Sequence, residues 1–134
     1  MACRTEIVGT YSQLIAKAAL LVNGWTVSEP DTVESYDFIA RDPQTGEWKT
    51  FQCKTIRQRA DRRDELVVYS TNGKGERYSK SEVDFIIGVW GTEDAPPKIY
   101  YFENRELREY WSTENRANKR WHELTLSVPK GEIA

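Results

Sequence analysis

The stretch from Tyr36 to Lys54 most narrows what this chain can fold into. Tyr36-Asp37-Phe38-Ile39-Ala40 and Trp48-Lys49-Thr50-Phe51-Gln52-Cys53-Lys54 flank a polar turn at Pro43-Gln44-Thr45-Gly46-Glu47, the pattern of two antiparallel strands in a hairpin. Period-two alternation along the second strand puts Gln52 and Lys54 on one face, with Phe51 and Cys53 on the opposite, apolar face. One face must then meet a core while the other carries an amide and an amine. Asp37 opens the first strand, so an acid, an amide and an amine meet at one sheet edge. A carboxylate with a second oxygen ligand can hold a divalent cation against a phosphate, and a nearby ammonium can balance charge on an attacking oxygen. These residue types suit phosphodiester hydrolysis.

Size and charge set the bounds. At 134 residues, 39% hydrophobic and 30% charged, the chain is expected to form one domain over residues 1–134 with one core. The net charge of −2 requires any DNA-binding surface to be a local patch, because backbone binding rests on Lys and Arg neutralising phosphates. The best patch follows Lys54 directly, with Arg57, Arg59, Arg62 and Arg63 against Asp61, and Lys74, Arg77 and Lys80 extend it. A later group, Arg105, Arg108, Arg116, Lys119 and Arg120, is interleaved with Glu103, Glu106, Glu109 and Glu114 and reads equally well as a charged helical surface. Met1 to Thr10 lacks an apolar signal core, and no run approaches the roughly 18 apolar residues of a membrane span. A cytoplasmic location without a membrane partner is the expectation. Cys3 and Cys53 are too few for a disulfide framework or a Cys-based zinc site, so both are read as reduced thiols. His122, beside Trp121 and Leu124, is read as a packing residue, and the five Trp and seven Tyr as core and subunit-interface residues before base-stacking ones.

Along the chain, Tyr11, Leu14, Ile15, Ala18, Leu21 and Val22 recur at helical spacing and predict a helix over about Thr10 to Asn23, stopped by Gly24. Strands are predicted at Trp25-Thr26-Val27, in the hairpin, at Glu65–Tyr69, at Asp84–Trp90 and at Lys98–Phe102. Asp84–Trp90 is apolar on both faces, as a central buried strand requires. Asn104–Trp111 is predicted as a short helix with Asn104 as N-cap, Thr113–Trp121 as a second, and Leu124–Val128 as a last strand before a Pro-Lys-Gly tail.

Gly9-Thr10-x-x-Gln13 on the first helix, Gly24-Trp25-x-Val27, Tyr36-Asp37 and Phe51-Gln52-Cys53-Lys54 together resemble the PD-(D/E)XK nuclease superfamily over roughly residues 9–55. The chain looks most like the group I intron homing endonuclease branch, which commonly carries Gln in the third motif. That likeness extends through Tyr78-Ser79-x-Ser81-Glu82-Val83-Asp84 and the Tyr100-Tyr101 strand. It is also similar to archaeal-type Holliday junction resolvases, which share a Gly-Thr-x-x-acid helix. The resemblance implies an α/β (α+β) fold, a mixed central sheet flanked by helices. The implied activity is Mg²⁺-dependent cleavage of double-stranded or branched DNA, with Mn²⁺ as a substitute and a homodimer or higher homo-oligomer as the assembly. It assigns Asp37 as the metal carboxylate, Gln52 to the usual Asp/Glu slot, the Cys53 backbone carbonyl as a further ligand, Lys54 as the motif lysine, and Gln13 as the residue that orients water. Pro30-Asp31 spells the family dipeptide but sits in a polar loop, so Asp37, beside Phe38 and Ile39, takes the role. Glu34 could add a second acid. Gln13 and Gln52 are neutral where the superfamily often has carboxylates, which keeps a non-cleaving DNA-binding module open as an alternative.

Overall fold

The computed structural model describes residues 1–128; the predicted Pro129-Lys130-Gly131 tail lies outside them. Helix α1 (Arg4–Val22) starts well before the expected Thr10, with the Cys3 backbone N–H donating to Glu6 Oε2 at 3.3 Å in its first turn. Apolar periodicity cannot register that turn, because Arg4, Thr5 and Glu6 are polar. The buried stripe is Ser12, Ala16, Ala19 and Leu20, with Ile15 packed beside it. This corrects the predicted anchors: Tyr11, Leu14 and Leu21 are 42%, 63% and 53% exposed. Two stripes offset by one position both satisfy helical spacing, and the one with small residues wins because alanines let the helix axis approach the sheet. Gly24 ends the helix at φ 90°, the left-handed region that glycine enters without strain.

Nine strands follow among the described residues: β1 (Thr26–Ser28), β2 (Phe38–Arg41), β3 (Trp48–Thr55), β4 (Arg57–Arg59), β5 (Glu65–Tyr69), β6 (Phe85–Trp90), β7 (Lys98–Glu103), β8 (Glu109–Ser112) and β9 (His122–Leu124), with a one-turn helix α2 (Ala117–Arg120) before the last. Six of them form a mixed sheet in the order β1-β2-β3-β6-β7-β9, in which only β3 and β6 run parallel. The fold is thus α+β with a mixed central sheet. A second sheet, β4-β5-β8, is antiparallel throughout.

Helix α1 lies on one face of the mixed sheet and the small sheet lies on the other, giving two cores. Strand β6 supplies both, Ile87 and Val89 toward α1 and Ile86 and Trp90 toward the small sheet, which is why its sequence is apolar throughout. On the helix side, Trp25 meets Phe51 edge-on at 5.3 Å and Tyr101 at 5.9 Å. Each fully buried side chain of this size adds about 1.5–3 kcal/mol. No helix among the described residues is long and apolar enough to cross a membrane.

The late helix predictions need correction. Asn104–Trp111 is no helix: Asn104 is buried, donating through Nδ2 to the carbonyls of Tyr78 (3.1 Å) and Val83 (2.9 Å), and β8 begins at Glu109. Leu107, Tyr110 and Trp111 fit helical spacing, but Tyr110 and Ser112 are buried while Trp111 is exposed, a period of two. Over Thr113–Trp121 only a 3₁₀ turn at Glu114–Arg116 and the α2 turn form, and the last strand is His122–Leu124, with Thr125–Val128 irregular.

The chain passes from one sheet to the other at Ile56, whose N–H still donates to Val89 O at 2.8 Å. Its side chain fills the space above Gly88, which pairs with Lys54 and leaves room because it has no Cβ. A Cβ on Gly88 would sit 2.7 Å from Ile56 Cγ1 and 2.9 Å from Cδ1. Gly88→Ala is therefore expected to destabilise by about 1–3 kcal/mol, with Ile56→Ala recovering part of that loss in the double variant. Urea unfolding of the two single variants and the double variant measures this coupling; strictly additive effects would contradict it.

Candidate active site

The predicted residues meet where β2 stops and β3 runs on. Phe38 and Phe51 form the terminal ladder pair, and the Asp37 N–H donates to Phe51 O at 2.8 Å. Beyond that point β3 has no strand partner on this side. The Cys53 N–H donates instead to Asp37 Oδ2 at 2.8 Å, so a side-chain carboxylate substitutes for the missing strand. Because Phe51 O faces β2, the Cys53 carbonyl, two residues on, faces the same edge. Gln52 Nε2 reaches Cys53 O at 3.4 Å, and Gln13 Nε2 on α1 reaches Asp37 Oδ1 at 3.4 Å. Asp37, Gln52, Cys53 O and Gln13 are thereby brought together. A hydrogen bond of 2.9 Å between Ser12 Oγ and Thr55 Oγ1 pins the helix to the end of β3 and fixes the reach of Gln13.

Lys54 lies alongside, on its own support. Its Nζ donates to Thr71 O at 2.9 Å and stands 5.1 Å above the centre of the Tyr78 ring. Thr71 is itself held by a bridge to Arg77 and by the Asn72 turn, in which Asn72 Oδ1 accepts from the N–H groups of Lys74 (2.9 Å) and Glu76 (3.0 Å).

Burial raises the Asp37 carboxyl above the ordinary carboxylate range; the Cys53 N–H and the Lys54 charge pull it down without cancelling the effect, and Glu29 adds slightly to the rise. Burial also pushes the Cys53 thiol far up, so this side chain is a neutral core residue and only its backbone faces the site. Both cysteines are free.

Of the other predicted residues, Lys74 lies with Asp37, Gln52, Glu34 and Glu82 around a cleft of about 760 Å³. Arg57 lies with Cys53 and Lys54 along a separate groove. The rest of the basic run is divided. Arg59 is paired with Asp61 and hydrogen-bonded to Tyr69, while Arg62 bridges Glu65 (3.2 Å) and Glu109 (3.0 Å). Arg63 marks the β4–β5 turn at φ 54°, and Arg77 and Lys80 lie apart, near Glu106. Asp31 is exposed in its loop, and His122 is stacked on Tyr101 at 4.8 Å. Among the described residues no three His, Cys, Asp or Glu side chains cluster as a metal site.

Sequence reasoning missed three participants. The Thr71 carbonyl carries no side-chain signature. Tyr78 stood in a noted motif without a role. Arg4, which lines the same groove as Lys54 and Arg57, lay outside the predicted helix altogether.

No family model and no curated protein matches this chain. Among solved structures it is similar to the bacterial homing endonuclease I-Ssp6803I, with a TM-score of 0.65 and 20% identity over 84% of this chain and 80% of that one. At that identity the likeness establishes a shared fold.

Proposed function

We propose that this chain is a divalent-metal-dependent DNA endonuclease of the homing type. The observation that carries the reading is the convergence of the Asp37 carboxylate, the Gln52 amide and the Cys53 carbonyl beside Lys54, at one open strand edge, on a fold shared with a homing endonuclease. All three donors offer oxygen, Gln52 by a half-turn of its amide, and an oxygen-only set suits a hard cation such as Mg²⁺ or Mn²⁺. The desolvated carboxylate fits as well, since a bound cation offsets the penalty that burial places on its charge. Asp37, Gln52 and Cys53 O would hold the ion. When bound, it supplies Lewis-acid polarisation of the phosphate and activation of water.

The protein's own groups do the rest. Lys54, oriented by the Thr71 carbonyl and the Tyr78 ring, offsets negative charge developing on the phosphate oxygens. Gln13, fixed by α1 and in contact with Asp37, orients the attacking water in line with the leaving oxygen. With one carboxylate, these residues alone would hold the cation weakly, and a DNA phosphate would supply further oxygen. Arg57, in the groove that Lys54 lines, and Lys74, in the cleft that Asp37 lines, contact phosphates flanking the cut. A homodimer or higher homo-oligomer brings a second site to the opposite strand. The neutral amides at Gln13 and Gln52 favour, as the competing reading, a fold that binds DNA without cutting it.

Plasmid duplex and four-way junction DNA, incubated with Mg²⁺ or Mn²⁺, separate these readings. Cleavage of duplex is expected, with Asp37→Ala abolishing it and Lys54→Ala lowering its rate by about 100-fold or more. Undiminished cutting by both variants would remove the proposal. Cutting confined to junctions would indicate a resolvase, and metal-independent binding without cutting would indicate the non-cleaving module.

Asp37 also makes a prediction for stability. Its folded-state pKa lies above the unfolded value, so the ionised group costs stability at neutral pH, and that cost disappears as pH falls through the raised pKa. Asp37→Asn keeps an oxygen for the Cys53 N–H. It is expected to melt above the wild type at neutral pH without metal, with the gap closing as the pH is lowered. Added Mg²⁺ should raise the melting temperature of the wild type and not of Asp37→Asn. Thermal melts over a pH series read both effects, and an Asn variant that melts lower at every pH would contradict the assignment.

A further inference from the structure

Gly9 is a mid-helix glycine without a packing reason. Glycine inside a helix costs about 1 kcal/mol relative to alanine, and a Cβ at position 9 would meet no atom within 4 Å. The open space it faces is the groove of about 620 Å³ that contains Cys53 and Lys54. Arg4 of the first helical turn, Lys54 of β3 and Arg57 of β4 all line this groove. No carboxylate lines it, whereas a separate cleft holds Asp37, Glu34 and Glu82. In a chain of net charge −2, three cations without an acid around one concave surface is a marked local imbalance.

We infer that this groove is a DNA-backbone track, in which Arg4 and Arg57 contact successive phosphates leading to Lys54 and the absent side chain at Gly9 lets the sugar-phosphate chain pass against α1. The inference rests on the nuclease reading and adds the path of the substrate strand to it. The unopposed charges match the chemistry of a polyanion running along a groove, which gains affinity through several Arg and Lys contacts and releases counterions on binding. Arg59 and Arg62, though members of the predicted patch, are already paired with carboxylates and contribute less. Phosphate contact is independent of base sequence, so a duplex of arbitrary sequence serves as probe.

Fluorescence anisotropy of the full chain with a labelled arbitrary duplex, over a salt series without divalent cation, provides the test. Gly9→Glu fills the path with a carboxylate and is expected to weaken binding by about tenfold or more, while Gly9→Arg, which fills the same space with a cation, weakens it less. Both variants should melt no lower than the wild type, since each replaces a helical glycine in open space. Arg4→Ala and Arg57→Ala should each lower the slope of log affinity against log salt by about one. Wild-type affinity and slope in Gly9→Glu, Arg4→Ala and Arg57→Ala, alongside normal cleavage by the wild type, would overturn this track and leave the nuclease reading intact. A wild type that neither binds nor cuts DNA would remove both.

Discussion

The site depends on one hydrogen bond that replaces a missing strand. β2 ends at Phe38 while β3 continues to Thr55, so the peptide groups of β3 beyond Gln52 lose their ladder partner on that side. A backbone N–H left unpaired there would be costly, and the Asp37 carboxylate satisfies it. The same bond draws a charged group into a half-buried position, with its pKa raised by burial. Stability and candidate chemistry are thus coupled at one atom pair. The bond that closes the sheet edge also brings a desolvated carboxylate and the Cys53 carbonyl to a common point.

Around that pair the fold supplies rigid backing in layers. α1 contributes Gln13 and is fixed to β3 by Ser12 and Thr55, while the 71–78 segment contributes the carbonyl and the ring that hold Lys54. Asn104 binds that segment through the carbonyls of Tyr78 and Val83, and Tyr110 O–H donates to Asn104 Oδ1 at 3.3 Å. The small sheet is therefore connected to the lysine through a buried polar network. Such networks are demanding because every member must be satisfied, and they hold a single arrangement when they are.

The two sides of the site differ in charge. One side presents Arg4, Lys54 and Arg57, the other Asp37, Glu34 and Glu82 with Lys74. A uniform basic surface would be incompatible with the overall charge of −2, so any attraction for a polyanion would have to be concentrated. The groove between the start of α1 and the end of β3 gathers Arg4 and Arg57 with Lys54.

The local pattern by itself determined the hairpin, the faces of Phe51, Cys53, Gln52 and Lys54, the doubly buried β6 and the placement of Asp37 at the strand end with Asp31 in a loop, because each follows from strand periodicity and the polarity of nearest neighbours in the chain. It misjudged which stripe of α1 is buried, since adjacent stripes satisfy the same period and only the sheet beneath selects between them. It read Asn104–Trp111 as helix, since Tyr110 and Trp111 suit either period until β5 pairs with β8. The division of the arginines into paired and open, the support of Lys54 by a carbonyl seventeen residues away and the joining of Arg4 to Arg57 in one groove were decided by tertiary structure alone. Those relations arise between segments distant in sequence, and no periodicity within either segment encodes them.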